Sequence, residues 1–560
     1  MPDHRSTRPP RRGRIPAVVV AATVAFGALG AFWSVVAPLG EAPDEPAHLA
    51  LVWHLADGNP YPSYDGLRNQ TAIFALCRTF AAATRACPRE GEEVTSTSTR
   101  RHPVGDAPDK NTRPAWNDAG GDDPLGQLNQ MPQHPPLYYQ AMATVLRAER
   151  AIGGGPWSAD RELALLRLVN VLLVMPLPLL AWWASRRFGL ENPTASVAAV
   201  ALLAFPMLAH IGSTLNNDNL LTLLAAVLAA LLAGVVRGDR SVRTAAGIGV
   251  VLGLALLTKA FAFVFPPIVV LAYVVGTFGA AEADQEGGLH REDQHARETE
   301  SLWARMRPMV APLACAGAVT VALAAWWYLG VNFRTGSFAP TIETDRLNSS
   351  LQPPGFSPNP WEYLQEFVPN LNTRFWGSFG WYSVRFPAPL SALCTAVMVV
   401  AVATVIVPRR GAANSTRLQR VSLLVPMSAL GAFVLARSWG LYVVTSKFPF
   451  IQGRYLFAGL IGVVILAAIG AVRWSPRWAL VGVLAAAVGL QGEAIRRSLL
   501  GWWGGPGLGP RGQLRAMIAW SGWPGEVAAA MGVALALSWV MLAVAVGRSV
   551  TRRPVESTAT

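Results

Sequence analysis

Charge is what this sequence has least of. Only 14% of its 560 residues are Asp, Glu, Lys or Arg, against 52% hydrophobic. Globular soluble domains carry about a quarter charged residues, so an ordinary soluble enzyme of this length is excluded. Cysteine is scarce as well, four in all. Cys315 and Cys394 fall inside apolar runs and read as packing. Cys77 and Cys87 share one polar stretch and would form a disulfide if that stretch faces an oxidising compartment. Internal repeats of the kind that mark many transporters are missing. So is a cleavable signal: Arg5, Arg8, Arg11, Arg12 and Arg14 lead into an apolar run too long for a signal core, without a clear Ala-x-Ala site. That run reads as a first span that stays.

What is there is a series of apolar runs, each about 18 or more residues long and able to cross the ~30 Å hydrocarbon layer as a helix. The net charge of +13 invites a nucleic-acid reading. The basic residues instead bracket the ends of apolar runs, as the positive-inside rule expects, and no nucleic-acid partner is expected. The fold class is an all-α polytopic membrane protein with about twelve transmembrane helices. The spans fall at about 16–38, 162–185, 194–213, 220–236, two in a hairpin over 244–277, 309–330, 387–407, one after Arg420, one after Tyr455, 478–492 and 526–547. Residues 1–15 and 548–560 form cytoplasmic ends, 16–475 a catalytic core and 476–547 a C-terminal pair of spans. Large outer loops cover 39–160 and 331–386. A lysine at mid-bilayer is costly, which puts Lys259 at an outer turn of the hairpin.

The stretch that organises the rest is Pro43-Asp44-Glu45-Pro46-Ala47-His48, just after the first span. Proline suits the first position of a helix. Leu49, Val52, Trp53 and Ala56 then share one face, with Gly58 as the stop, which describes a short amphipathic helix on the membrane surface. A second surface helix follows His134-Pro135-Pro136, with Leu137, Tyr138, Ala141, Val145 and Ala148 on its apolar face. Taken alone, Asp44-Glu45 fits a helix cap as well as it fits a catalytic pair. The aromatic run 375–382 reads as an interfacial belt rather than a sugar platform.

The order of these features carries more than any one. Asp-Glu follows span one, then come His-Pro-Pro-Leu-Tyr-Tyr (134–139), Arg-Leu-Val-Asn (167–170), Asn-Asn-Asp (216–218), Gly-Leu-Ala-Leu-Leu-Thr-Lys (253–259) and Gln-Gly-Arg-Tyr-Leu (452–456). The series resembles the GT-C superfamily of membrane glycosyltransferases, which take sugars from polyprenyl-phosphate carriers. It is most similar to a bacterial branch of predicted membrane proteins with the Pro-Asp-Glu-Pro-Ala-His and Gln-Gly-Arg-Tyr-Leu signatures. The likeness spans most of residues 16–475. It implies an inverting hexosyl- or pentosyltransferase in a bacterial plasma membrane, with its active site outside and an envelope glycan, lipid or protein as acceptor.

The resemblance implies that Asp44 is the catalytic base and that Glu45 positions the acceptor or supports it. It implies also that Asp218, with Asp44, holds a divalent cation, Mg²⁺ or Mn²⁺. The chemistry agrees on the base, because a hydroxyl nucleophile must lose its proton while a phosphate leaves as a stable anion. Lys259 and Arg454 are candidates for the donor phosphate; a solvated turn and an interface anchor are their alternatives. Tyr138 and Tyr455 join them as substrate-binding candidates. His134 is a candidate to orient the acceptor, and His48 a hydrogen-bond partner one turn beyond Asp44. A transporter or flippase, or a non-catalytic envelope assembly protein, is the competing class. A transporter would keep its ionisable residues near mid-membrane.

Overall fold

In a bilayer a helix satisfies its own backbone polar groups, so apolar runs bounded by arginine fold as helices. The structure, a computed structural model, describes residues 14–73, 75, 107–121, 124–286, 301–342, 347, 349–406, 415–505 and 507–551. Its first half contains α1 (Ala17–Val36), α2 (Glu45–Ala56), α3 (Leu137–Ile152), α4 (Ala159–Val174), α5 (Leu177–Arg187), α6 (Asn192–Ala201), α7 (Pro206–Gly212), α8 (Asp218–Val236) and α9 (Val242–Leu256). Its second half contains α10 (Phe265–Glu286), α11 (Leu302–Thr335), α12 (Pro360–Trp376), α13 (Ala388–Ile406), α14 (Arg417–Ser422), α15 (Val425–Thr445), α16 (Leu460–Trp474), α17 (Ala479–Trp503), α18 (Pro510–Trp520) and α19 (Gly525–Thr551). Two small antiparallel pairs complete it: β1 (Arg68–Gln70) with β2 (Pro124–Leu128), and β3 (Ser378–Phe379) with β4 (Val384–Arg385).

The chain is an all-α polytopic membrane protein. Among the described residues ten helices are long and apolar enough to cross a membrane, or eleven if the pair Asn192–Ala204 and Pro206–Gly212 is one span. The expected twelve falls short at the 244–277 hairpin. Its first arm is α9, whose 15 residues rise only about 22 Å against a ~30 Å hydrocarbon core. The bent pair turns by 70°, and Pro206 explains the break. It offers no N–H, and it holds Phe205 out of the helical region at φ −110°, ψ 88°. Small residues let helices approach closely elsewhere. A Cβ on Gly249 of α9 would lie 2.6 Å from the Ala316 carbonyl of α11.

Three expectations about the loops need correction. Helix α2 does not lie on the membrane. It buries Leu49, Ala50, Leu51, Val52, Trp53, Leu55 and Ala56, on every side rather than on one face, because it is the centre of a second apolar core shared with α3. The aromatic run is not an interfacial belt: Phe375, Trp376, Phe379 and Tyr382 are buried within the protein. Lys259 is no solvated turn; it is 4% exposed between α9 and the 3₁₀ segment Ala260–Val264. Cys77 and Cys87 lie outside the described residues; Cys315 and Cys394 are free.

The C-terminal helices pack on the start of the chain, α19 along α1 and α17 against α6. Lys110 and Arg113, from the loop before α3, donate to the carbonyls of Ile518, Ala519 and Ser521 at 3.0, 2.8 and 3.0 Å. Cations at the C-terminal end of α18 complement its dipole, and Arg113 also pairs with Asp160 at 2.6 Å.

Candidate active site

The alternation of spans brings the ends of α1, α7 and α9 to the same end of the bundle as the starts of α8 and of the segment Gly453–Gly459. The foundation there is Arg167 of α4. All five of its N–H donors are used: two on Glu45 at 2.8 and 2.6 Å, the others on the carbonyls of Ser34, Ala37 and Pro38 at 2.7–2.9 Å. Glu45 also accepts from the backbone N–H of Gly40 and Leu215, at 3.0 and 3.1 Å. Both of its oxygens are thus occupied, and both side chains are fully buried. A bidentate charge-assisted pair with this many supports is a fixed strut. It ties the end of α1 to the loop ahead of α8.

That strut aims Asp44. Asp44 has φ 63°, in the left-handed region that Asp and Asn tolerate better than other side chains. Its carboxylate makes no capping bond to α2, which removes the cap reading. Instead Oδ2 pairs with Arg454 Nη2 at 2.6 Å, and Oδ1 accepts from Gln130 Nε2 at 3.3 Å. Arg454 continues to Asp218, its Nε 3.3 Å from Oδ2. Asp218 in turn pairs with Lys259 at 2.5 Å. Lys259 lies 4.7 and 4.8 Å from the ring centres of Phe261 and Tyr455, within cation–π range. The order is therefore Asp44, Arg454, Asp218, Lys259, a line of alternating charge. Three of the four side chains are 3–6% exposed and only Asp44, at 16%, meets solvent. Arg454 Nε and Asp218 Oδ2 are buried without a hydrogen-bond partner, so the line is electrically balanced but not saturated.

Residues 28–464, which hold all of these groups, match the family of predicted membrane proteins DUF2142. The chain belongs to that family. No curated protein matches it. Among solved structures it is similar to ArnT from Cupriavidus metallidurans bound to undecaprenyl phosphate, at 17% identity and TM-score 0.38, over 75% of this chain and 68% of that one. The apo state of the same ArnT matches at 17% and 0.37, over 89% and 75%. The oligosaccharyltransferase of Archaeoglobus fulgidus, in complex with Zn and sulfate, matches at 14% and 0.33, over 67% and 45%.

In this DUF2142 chain a neutral layer backs the charged line. His48 Nδ1 is 2.9 Å from the Tyr139 hydroxyl, and Tyr138 donates to Asn170 at 2.9 Å. Asn170 also accepts from Asn219 at 3.0 Å, one residue past Asp218. Burial, reinforced by Lys259, pushes His134 down to about 3, and burial lowers His48 likewise. Both imidazoles stay neutral at ordinary pH and act as hydrogen-bonding groups. Tyr455 stacks under both cations, 5.4 Å from Arg454. The candidates Asp44, Asp218, Lys259, Arg454 and Tyr455 thus meet directly. His48 and Tyr138 stand one layer behind, His134 lies within electrostatic reach of Lys259 and Asp218, and Glu45 sits in the strut.

Sequence reasoning missed Glu41. Its carboxylate accepts from Ser383 at 2.6 Å and is 4% exposed. Burial raises its pKa to about 7, against the lowering bond from Ser383. Nothing in its spacing marks it. Arg167 did carry a signal, in the Arg-Leu-Val-Asn motif, but no role followed from it. Because the folded pKa of Glu41 lies above its ordinary 4.5, its favourable contribution is complete below pH 4.5 and is lost as pH rises through 7. Glu41→Gln keeps the acceptor and removes the charge. It is expected to raise thermal stability at pH 8, by at most about 3 kcal/mol, and to change it little at pH 4.5. Equal effects at the two pH values would show that Glu41 titrates normally.

Proposed function

We propose that this protein is a membrane glycosyltransferase that moves a sugar from a polyprenyl-phosphate donor to an envelope glycan, lipid or protein acceptor. The observation that carries the reading is the line Asp44–Arg454–Asp218–Lys259. Four segments far apart in sequence deliver two carboxylates and two cations to one end of a membrane bundle. A lipid phosphate would enter beside Arg454 and Lys259, where Arg454 Nε faces Asp218 Oδ2 at 3.3 Å without a hydrogen bond. Asp44, the member of the line that reaches solvent, faces the side from which an acceptor hydroxyl would come.

The reaction is one displacement. The acceptor oxygen attacks the anomeric carbon as Asp44 takes its proton, and the bond from that carbon to the phosphate oxygen breaks. The bonding pair leaves with the phosphate, whose charge meets Arg454 and Lys259. Attack opposite the leaving group inverts the anomeric centre. Glu45 acts through Arg167, holding Asp44 in its left-handed conformation, and Asp218 holds both cations in place.

A divalent cation does not fit these residues. Asp44 and Asp218 each already face a cation, at 2.6 and 2.5 Å. Among the described residues no three His, Cys, Asp or Glu side chains gather to hold a metal. An added dication would sit against Arg454 and Lys259.

The test is transfer of labelled sugar from a polyprenyl-phosphate donor by purified protein; a protein that binds or moves the lipid and never transfers the sugar overturns the reading. The distribution of charge supports a site on the outer side. Arg186, Arg187, Arg237, Arg240, Arg473 and Arg548 lie at the bundle end opposite the site, which by the positive-inside rule is cytoplasmic. Asp118 is exposed on the site side. Asp118→Cys, in a background without Cys77 and Cys87, is expected to react with an impermeant thiol reagent in intact cells. Labelling that appears only after lysis would place the site in the cytoplasm.

A further inference from the structure

Arg374 is a cation for which the charged line has no counterpart. It stands in the last turn of α12, directly against the segment that carries Arg454: a Cβ on Gly453 would lie 2.3–2.4 Å from the backbone of Arg374 and Phe375. Its Nη1 donates to the Ile451 carbonyl at 2.5 Å, and its guanidinium carbon lies 4.2 Å from the centre of the Tyr382 ring. The Nε is buried and has no partner. Among the described residues no carboxylate pairs with it, whereas Arg167, Arg454 and Lys259 each have one. Burial pushes its pKa down, and the nearby cation Arg385 lowers it further, while the phenol of Tyr382 is neutral at ordinary pH.

A partly buried guanidinium that no carboxylate among the described residues pairs with is costly, and here the surrounding structure holds it in place. Tyr382 has φ 65°, a conformation that costs a bulky side chain on the order of 1–3 kcal/mol. The ring stacks on Arg374 while its hydroxyl donates to Gln452, two residues before Arg454. Both Arg454 and Asp44 act electrostatically on Tyr382. Arg374 is thereby fixed to the same short segment as the phosphate-binding arginine, with its Nε N–H unpaired.

We infer that Arg374 forms a second anion subsite next to the donor phosphate and takes a phosphate-type anion. This rests on the proposed function, and it extends the substrate class. The anion is either the second phosphate of a lipid diphosphate or a phosphate-like group on the acceptor. The chemistry is the same for both: a planar guanidinium with an unfilled Nε suits tetrahedral oxyanions.

The experiment uses the full-length protein in detergent with farnesyl monophosphate, farnesyl diphosphate and inorganic phosphate as probes. Wild type is expected to bind the diphosphate about tenfold or more tightly than the monophosphate, with Arg374→Ala losing that preference and keeping monophosphate affinity. That result assigns the subsite to the donor. Alternatively, inorganic phosphate binds on top of saturating farnesyl monophosphate and is lost in Arg374→Ala, which assigns it to the acceptor. If neither occurs, or if Arg374→Ala weakens mono- and diphosphate equally, the inference is overturned. Should Arg374→Ala lose all binding, Arg374→Lys decides: a retained second-anion effect supports the subsite, and a uniform loss defeats it. Monophosphate binding that depends on Arg454 with no role for Arg374 sinks this inference alone. No binding of any probe by wild type sinks the donor reading as well.

Discussion

Asp44→Asn is expected to lower sugar transfer by about 10²–10⁴-fold, the usual worth of a positioned general base, while the protein stays folded. Asn tolerates the left-handed conformation that Asp44 adopts, and its amide oxygen can still accept from Gln130. What disappears is the negative charge and the ability to take a proton. The loss also frees Arg454 from its 2.6 Å partner, so donor lipid phosphate should bind as tightly as before or more tightly. The combination of a collapsed turnover number and an unweakened donor affinity is the signature of an interaction used only in the transition state. A group that merely shaped the loop would move neither. Near-normal transfer by Asp44→Asn would take Asp44 out of the mechanism. Glu45, with both oxygens committed to Arg167 and two backbone N–H groups, could not replace it, which would leave Asp218.

Arg454→Ala is expected to fail differently and on two counts. It removes the charge-assisted partner of the donor phosphate, so lipid-phosphate affinity should fall by about tenfold to a hundredfold. It also leaves Asp44 facing no cation and Asp218 with Lys259 alone. Uncovering one member of a buried ionic network typically costs about 3–5 kcal/mol, so thermal unfolding should move clearly downward. Arg454→Lys separates the two effects. It keeps the charge and much of the stability but cannot reach Asp44, Asp218 and a phosphate with one planar fork, so donor binding should remain impaired. Binding measured by titration with a farnesyl phosphate, alongside thermal unfolding of the same samples, reads both. An Arg454→Ala protein that binds lipid phosphate like wild type would mean that the phosphate lies elsewhere.

The sequence was legible wherever its information is local. Arginines at span ends and uninterrupted apolar stretches located α1, α8, α13, α16 and α19 to within a few residues, because hydropathy and charge act on each segment separately. The same logic miscounted α9, since an apolar run shows that a segment avoids water but not whether it is long enough to cross. It misread α2 and the 375–382 run for a related reason. An apolar residue is equally content against lipid or against another helix, and only the neighbours decide which.

The site divides in the same way. By itself the sequence determined that this is a polytopic helical membrane protein, and that its acids, lysine and arginine at 44, 218, 259 and 454 stand at span ends rather than within spans. Only the tertiary structure decided that Asp44 pairs with Arg454, 410 positions away, and that Glu45 is saturated by Arg167. It alone showed that Glu41 is buried and that no carboxylate among the described residues pairs with Arg374. The physical reason is that partner choice among charges depends on distance and burial, and in a helical bundle both are set by how the helices pack, which no residue's immediate neighbours in sequence record.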